Sequence, residues 1–255
     1  MPQLNFIRQG QGPVVVLAHA LGLDLTQWDE VAPLLARYFT VLRYDQRGHG
    51  RSEAPPGPYT LEALVDDAAG LIDEQVGEPV HFVGLSMGGL LAQLLAARHP
   101  QLVRSVVIAQ TSSWYSDIAW QRWRERIEAV RTRGMAAVAE GTVQRWFKPA
   151  FHADERNAAR IAALRAVLLA TDPAAYVATC EATIAADMRD SNRRIACPTL
   201  VIAGTHDDGI PVSTVEALSR SISGAEMQTL DTGRMSAVEK PAEFAAMVRA
   251  FLKSL

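Results

Sequence analysis

Cysteine is scarce in this sequence. The 255 residues hold two, Cys180 and Cys197, in different segments and without metal-like spacing. They offer neither a disulfide framework nor a thiolate metal site, so two reduced structural thiols are expected. Neither sign of charge dominates. Lys and Arg total 25 against 28 Asp and Glu, a net charge of −3, so nothing draws the chain to nucleic acid or to an anionic membrane. No apolar run approaches the roughly 18 residues of a membrane span. Residues 1–8 lack the charged-then-apolar pattern of a leader, and the cytoplasm is the expected compartment. With no ligand cluster in the sequence, no cofactor and no metal are expected. Histidine is also sparse: it occupies positions 19, 49, 81, 99, 152 and 206, and none beyond.

Apolar residues are plentiful, at 49%. The length suits one α/β domain with an insertion, or two small domains. Short runs that are apolar on both faces occur at 13–18, 39–44, 79–83, 102–109 and 198–203, with a further candidate at 225–230. Such runs suit buried parallel strands. Helical patterns alternate with them at 26–37, 61–76, 87–98, 212–221 and 242–255. In the second, Leu61, Leu64, Val65, Ala68, Leu71 and Ile72 repeat at helical spacing. Alternation of this kind predicts a mainly parallel sheet wound on both faces. It breaks once, from about 112 to 194, where the pattern is helical only. The predicted organisation is therefore a core from 1–111, a helical cap inserted at 112–194, and a second core part at 195–255.

The chemistry centres on Gly84-Leu85-Ser86-Met87-Gly88. Between an apolar strand and an apolar helix, Gly-x-Ser-x-Gly reads as a sharp turn that exposes a serine nucleophile. The glycines leave room where backbone segments come close. Directly after the first long strand run stands His19-Ala20-Leu21-Gly22. A loop there can aim backbone N–H groups at an oxyanion, and the donors expected are Ala20 or Leu21 together with Met87. His19 is expected to brace that loop and line the pocket rather than carry protons. Asp45-Gln46-Arg47-Gly48-His49-Gly50-Arg51-Ser52 reads as a hydrogen-bonded structural turn. Gly204-Thr205-His206-Asp207-Asp208 follows a strand at the place where a carboxylate would be third partner in the order serine, acid, histidine. Asp207 is the first choice and Asp208 the second. Both could instead cap the helix predicted from Val212.

These segments, in this order, resemble those of α/β-hydrolase-fold enzymes along the whole chain. Within that superfamily the chain most resembles 3-oxoadipate enol-lactonases. Gly84-Leu85-Ser86-Met87-Gly88-Gly89-Leu90, Arg145-Trp146-Phe147 and Val238-Glu239-Lys240-Pro241 carry the likeness. The resemblance implies an acyl-enzyme hydrolase acting on a small ester or lactone. It also implies a histidine just before Ser-x-x-Glu-x-Pro. This chain has Gly233-Arg234-Met235-Ser236 there. Arginine cannot act as a general base, because it has no lone pair to accept a proton and its pKa exceeds about 12.

Three readings follow. The scaffold is a hydrolase crippled at its base, by nature or by design. Alternatively, Arg234 serves as an electrostatic group for a lyase, isomerase or carbon–carbon reaction, or the chain binds a ligand without turnover. If Arg234 fills the histidine space, it should pair with Asp207. His206 and His152 are the substitutes to be considered for the missing base. In the cap, Arg122, Arg124, Arg126, Arg131 and Arg133 face Glu125 and Glu128. They read as a solvated face, or as a source of one arginine for a substrate carboxylate. Trp28 and Trp146 are the expected pocket walls around a small acyl-bearing substrate.

Overall fold

The computed structural model describes residues 2–255. Seven strands form one sheet: β1 (Phe6–Gln9), β2 (Val14–Ala18), β3 (Thr40–Tyr44), β4 (Val80–Leu85), β5 (Val103–Ala109), β6 (Thr199–Gly204) and β7 (Glu226–Leu230). Their spatial order is β1-β3-β2-β4-β5-β6-β7. All neighbours run parallel except β1, which pairs antiparallel with β3. The sequence pattern anticipated the six parallel strands and not β1. That strand is a four-residue edge with exposed middle positions, Ile7 and Arg8, so it lacks the two-faced apolar signature of its buried neighbours.

Strand periodicity divides the core. Val15, Leu17, Val41, Val83, Leu85, Val107, Leu200 and Ile202 point to one face. Val14, Val16, Leu42, Phe82, Val106, Ile108 and Val201 point to the other. Successive side chains alternate across a strand, so each central strand feeds both layers. The second face is covered by α2 (Leu61–Gln75), α3 (Met87–Arg98) and α9 (Val212–Ser221). The first face receives α1 (Ala32–Leu35), Val238 of α10 (Ser236–Glu239), and α11 (Pro241–Lys253). The single helix expected at 26–37 is in fact two pieces. A 3-10 turn at Leu25–Trp28 is capped by the Asp24 side chain, and α1 starts afresh with Pro33 in its first turn.

Between β5 and β6 the chain runs through helices only: α4 (Asp117–Arg133), α5 (Ala136–Trp146), α6 (Pro149–Ala153), α7 (Ala158–Ala170) and α8 (Pro173–Ile184). Ile127, Val130, Trp146, Phe147, Leu168 and Tyr176 from this stretch join the core on the first face of the sheet. These helices are therefore packed onto the sheet domain. Among the described residues, no single helix is long and apolar enough to cross a membrane.

Candidate active site

The sharp turn at Ser86 follows from its neighbours. β4 is buried throughout and α3 is buried at ten of its twelve positions. The chain must therefore reverse between two buried elements in one residue. Ser86 takes φ 57° and ψ −111°, a left-handed conformation that costs a non-glycine residue energy and that clusters at functional sites. A Cβ on Gly84 would lie 1.9 Å from the Gly88 carbonyl oxygen, and one on Gly88 would lie 2.1 Å from that of Ala18. Only glycine fits either position. Ser86 N–H donates to the Ala109 carbonyl at 2.9 Å, which anchors the turn to β5.

The loop after β2 lies against this turn, since Gly88 N–H donates to the His19 carbonyl at 3.2 Å. His19 is completely buried. One ring nitrogen lies 2.8 Å from the Ala20 carbonyl, and the other accepts from the Gln46 amide at 2.9 Å. This pattern assigns the proton to Nδ1 and leaves no nitrogen for a substrate. Burial also lowers its pKa, and it pushes that of His49, 5.3 Å away, down to about 3. His19 therefore braces the loop, as expected, but does not line a pocket. The 45–52 turn holds it from below: the Gln46 side chain donates to the His19 carbonyl, and Asp45 accepts from the Leu25 and Arg51 amides.

One expected oxyanion donor is lost. Ala20 N–H donates to the Gln27 side chain at 2.8 Å, so it is spent inside the loop. The amides of Leu21 and Met87 have no partner among the described residues. Met87 is the first residue of α3, where a helix leaves its N–H groups free. The two open donors are thus Leu21 and Met87.

Asp207 follows β6 and is buried. Its Oδ1 accepts from the amides of Gly209 and Ile210, both at 2.9 Å. Its Oδ2 faces Arg234 Nη1 at 3.5 Å. From the same guanidinium, Nη2 donates to Ser86 Oγ at 3.2 Å. Ser86, Arg234 and Asp207 are therefore in one line of contact, whereas Asp208 is exposed and makes no such bond. The side chain of Arg234 is 19% exposed and that of Asp207 1%.

Arg234 is held from several sides. A Cβ on Gly204 would meet the Gly233 carbonyl oxygen at 2.2 Å, so β6 and the arginine loop touch backbone to backbone. Met235 N–H donates to the Trp146 carbonyl at 3.1 Å. Gly233 N–H donates to Glu239 Oε1 at 2.7 Å. Burial raises the Glu239 pKa to about 7, against the opposing effect of its backbone hydrogen bonds. Lys148 adds a bond to the Asp231 carbonyl at 2.9 Å and another to its carboxylate at 2.7 Å. Glu239 and Lys148 were missed as loop-holding residues in the sequence. The only trace was the Ser-x-x-Glu-x-Pro segment, which carries no hint of where the glutamate reaches.

Among the described residues no histidine hydrogen-bonds to Ser86 Oγ. His206 lies on the surface with Nε2 2.8 Å from Asp231 Oδ1. His152 packs edge-on against Phe147, and its Nε2 has no partner among the described residues. His81 contacts Ser105 at 2.8 Å and His99 contacts Asp66 at 3.2 Å. Of the expected pocket walls, Trp146 sits beside the arginine loop. Trp28 does not line a pocket: it is fully buried, with its ring 6.0 Å from Phe244, and belongs to the core. An open hollow of about 480 Å³ lies elsewhere, between Pro2–Phe6 and the Leu71–Gln75 turn, and contains none of these groups.

Comparison with known proteins bears on the fold and the family. The family profile described as alpha/beta hydrolase fold matches residues 13–241. A 3-oxoadipate enol-lactonase of Acinetobacter baylyi is 34% identical over 253 residues, 98% of this chain and 93% of that protein. The crystal structure of the enol-lactonase from Burkholderia xenovorans LB400 superposes with a TM-score of 0.94 at 38% identity, covering 99% of this chain and 97% of that one. A thermophilic esterase from Thermogutta terrifontis, with malate bound, gives 0.93 at 28% identity over 99% and 94% of the two chains.

Proposed function

The chain belongs to the α/β-hydrolase fold family, and from that premise we propose that it is an enol-lactonase-like scaffold whose hydrolysis of small esters and lactones is impaired at the base. In this reading Ser86 is the nucleophile, Asp207 the acid of the triad, and Arg234 the occupant of the histidine position. Residues 1–111 and 195–255 form the catalytic core, and 112–194 form a cap over the pocket. The single observation that carries the reading is the 3.2 Å contact from Arg234 Nη2 to Ser86 Oγ.

Acyl transfer needs the serine proton to leave as Oγ attacks the carbonyl carbon. A guanidinium is a donor at every nitrogen and stays charged at any working pH. Arg234 therefore offers Ser86 a proton where a base would take one. Ser86 Oγ has no acceptor for its own proton among the described residues. What survives is oxyanion stabilisation by the Leu21 and Met87 amides, and substrate binding. In other serine hydrolases these leave about 10³–10⁴ over water when the triad is broken. Loss of the histidine alone costs on the order of 10⁶ in kcat.

The substrate class is tested with Arg234→His. Its rates are measured on p-nitrophenyl esters of increasing acyl length and on a small enol lactone. Short acyl groups and the lactone are expected to lead. Turnover confined to long acyl chains contradicts a small capped substrate.

A further inference from the structure

We infer that Gln110 is a positioning residue: from the end of β5 it sets Arg234 against Ser86. Resting on the proposed roles of Ser86, Asp207 and Arg234, this assignment adds the residue that holds the three in register.

The backbone sets Gln110 apart. Among the described residues, two that are not glycine have φ in the left-handed region, Ser86 at 57° and Gln110 at 42°. Such a conformation costs energy for a residue with a Cβ, and it persists only where the surroundings over-determine it. One of the pair is the serine of the sharp turn after β4. The other stands one strand away, directly after β5, which lies between β4 and β6 in the sheet.

The surroundings that hold Gln110 are the elements that carry the site. The peptide group between Ala109 and Gln110 is bonded on both sides. Its carbonyl accepts the Ser86 N–H at 2.9 Å, and its N–H donates to the Ile202 carbonyl at 2.9 Å. Ile202 belongs to β6, the strand that leads to Asp207. The third link is the side chain, whose Oε1 accepts from the Ser236 hydroxyl at 2.8 Å. Ser236 opens α10 two residues after Arg234, and lies 126 residues along the chain from Gln110. Three segments meet at this one residue, and each carries one member of the Ser86–Arg234–Asp207 line.

The side chain makes no other hydrogen bond among the described residues. It is fully buried, and its Nε2 is without a partner. A stranded buried donor costs stability, and an apolar side chain of the same length would fill the space without one. What the amide supplies is the acceptor for Ser236. That serine is fully buried as well, so the bond is shielded from water and strengthened by the low local dielectric. Glu239 and the Trp146 carbonyl hold the backbone of the arginine loop at Gly233 and Met235. Gln110 joins that loop to the strand that also anchors Ser86. Without its bond to Ser236, the sheet stays in place while Arg234 is free to drift from Ser86 Oγ.

The test is the thiol pKa of Ser86→Cys in the full chain, read from the ultraviolet absorbance of the thiolate against pH. The two native thiols titrate above it, since burial raises Cys180 to about 12 and also raises Cys197. A guanidinium at hydrogen-bond distance stabilises a thiolate, so the pKa is expected below the ordinary value of about 8.5. Adding Arg234→Gln should raise it by at least about 1. Ser236→Ala removes one hydroxyl, and Gln110→Met keeps the length and loses the acceptor. Each should raise the pKa by at least roughly 0.5, and the two together no further than the larger single effect, because they break the same bond. A general loss of stability does not move this pKa; a displaced charge does. If Arg234→Gln raises the pKa but Ser236→Ala and Gln110→Met leave it unmoved, or if their effects simply add, the positioning role is overturned and the contact between Arg234 and Ser86 stands. If Arg234→Gln leaves the pKa unmoved, that contact is wrong and the positioning role falls with it. Should Gln110→Met fail to fold, Ser236→Ala decides alone.

Discussion

Arg234 donates to Ser86 Oγ at 3.2 Å and faces Asp207 Oδ2 at 3.5 Å with its other terminal nitrogen. The three residues stand in the order a catalytic relay would use, but the central group can only give protons. In the proposed reading the arrangement keeps the order of the relay and reverses its polarity at one atom. It also explains how a cationic side chain is tolerated at a buried turn: a buried carboxylate lies on one side and a hydroxyl on the other.

Asp207→Asn should test that tolerance. The asparagine oxygen can keep the bonds from Gly209 and Ile210, but its amide then presents a donor to Arg234. The guanidinium is left without an anion at 19% exposure. A loss of about 1–3 kcal/mol in urea unfolding is expected, the cost of an unsatisfied buried polar group. An unchanged midpoint would mean that solvent already neutralises the arginine.

Gln27→Ala addresses the loop after β2. The Gln27 side chain accepts the Ala20 amide at 2.8 Å, and both residues are buried. Its removal strands that N–H away from water and should cost about 1–3 kcal/mol. Hydrogen exchange at Ala20 should accelerate in parallel. Protection of that amide without Gln27 would contradict the assignment.

Glu239 gives a pH-dependent prediction. Its folded pKa is raised to about 7 from an ordinary 4.5. Between those values the folded chain holds a proton that the unfolded chain has released, so stability falls as pH rises through that window. Glu239→Gln keeps an acceptor for Gly233 N–H and removes the titration. Its Tm relative to the unmutated chain should therefore improve from about pH 5 to about pH 8. A constant difference would show that the carboxyl is not perturbed.

Much of this was legible in the sequence because it depends on short-range pattern. The parallel strands announce themselves as two-faced apolar runs, and Gly84 and Gly88 mark a turn only glycine can make. The absence of any histidine beyond position 206 is visible without coordinates. Long-range hydrogen bonds were not legible. Nothing local shows that Gln27 spends the Ala20 amide, so Ala20 and Leu21 looked equivalent. Trp28 follows the loop directly and looked like a wall, but the placement of Phe244 from α11 makes it core. Glu239 reaches back six residues to Gly233, and Lys148 reaches across 83 residues to Asp231. β1 was hidden because an exposed edge strand need not be apolar on either face.

The central claim is that this chain has a nucleophile and lacks a base. It is tested most directly by initial rates of p-nitrophenyl acetate hydrolysis for the unmutated chain, Arg234→His, and Arg234→His with Ser86→Ala. The account predicts that the histidine raises kcat by at least about 10³-fold, a conservative share of the loss known for this step. It also predicts that the added Ser86→Ala removes the gain. A rate unmoved by the histidine, or a gain that survives without Ser86, would contradict it.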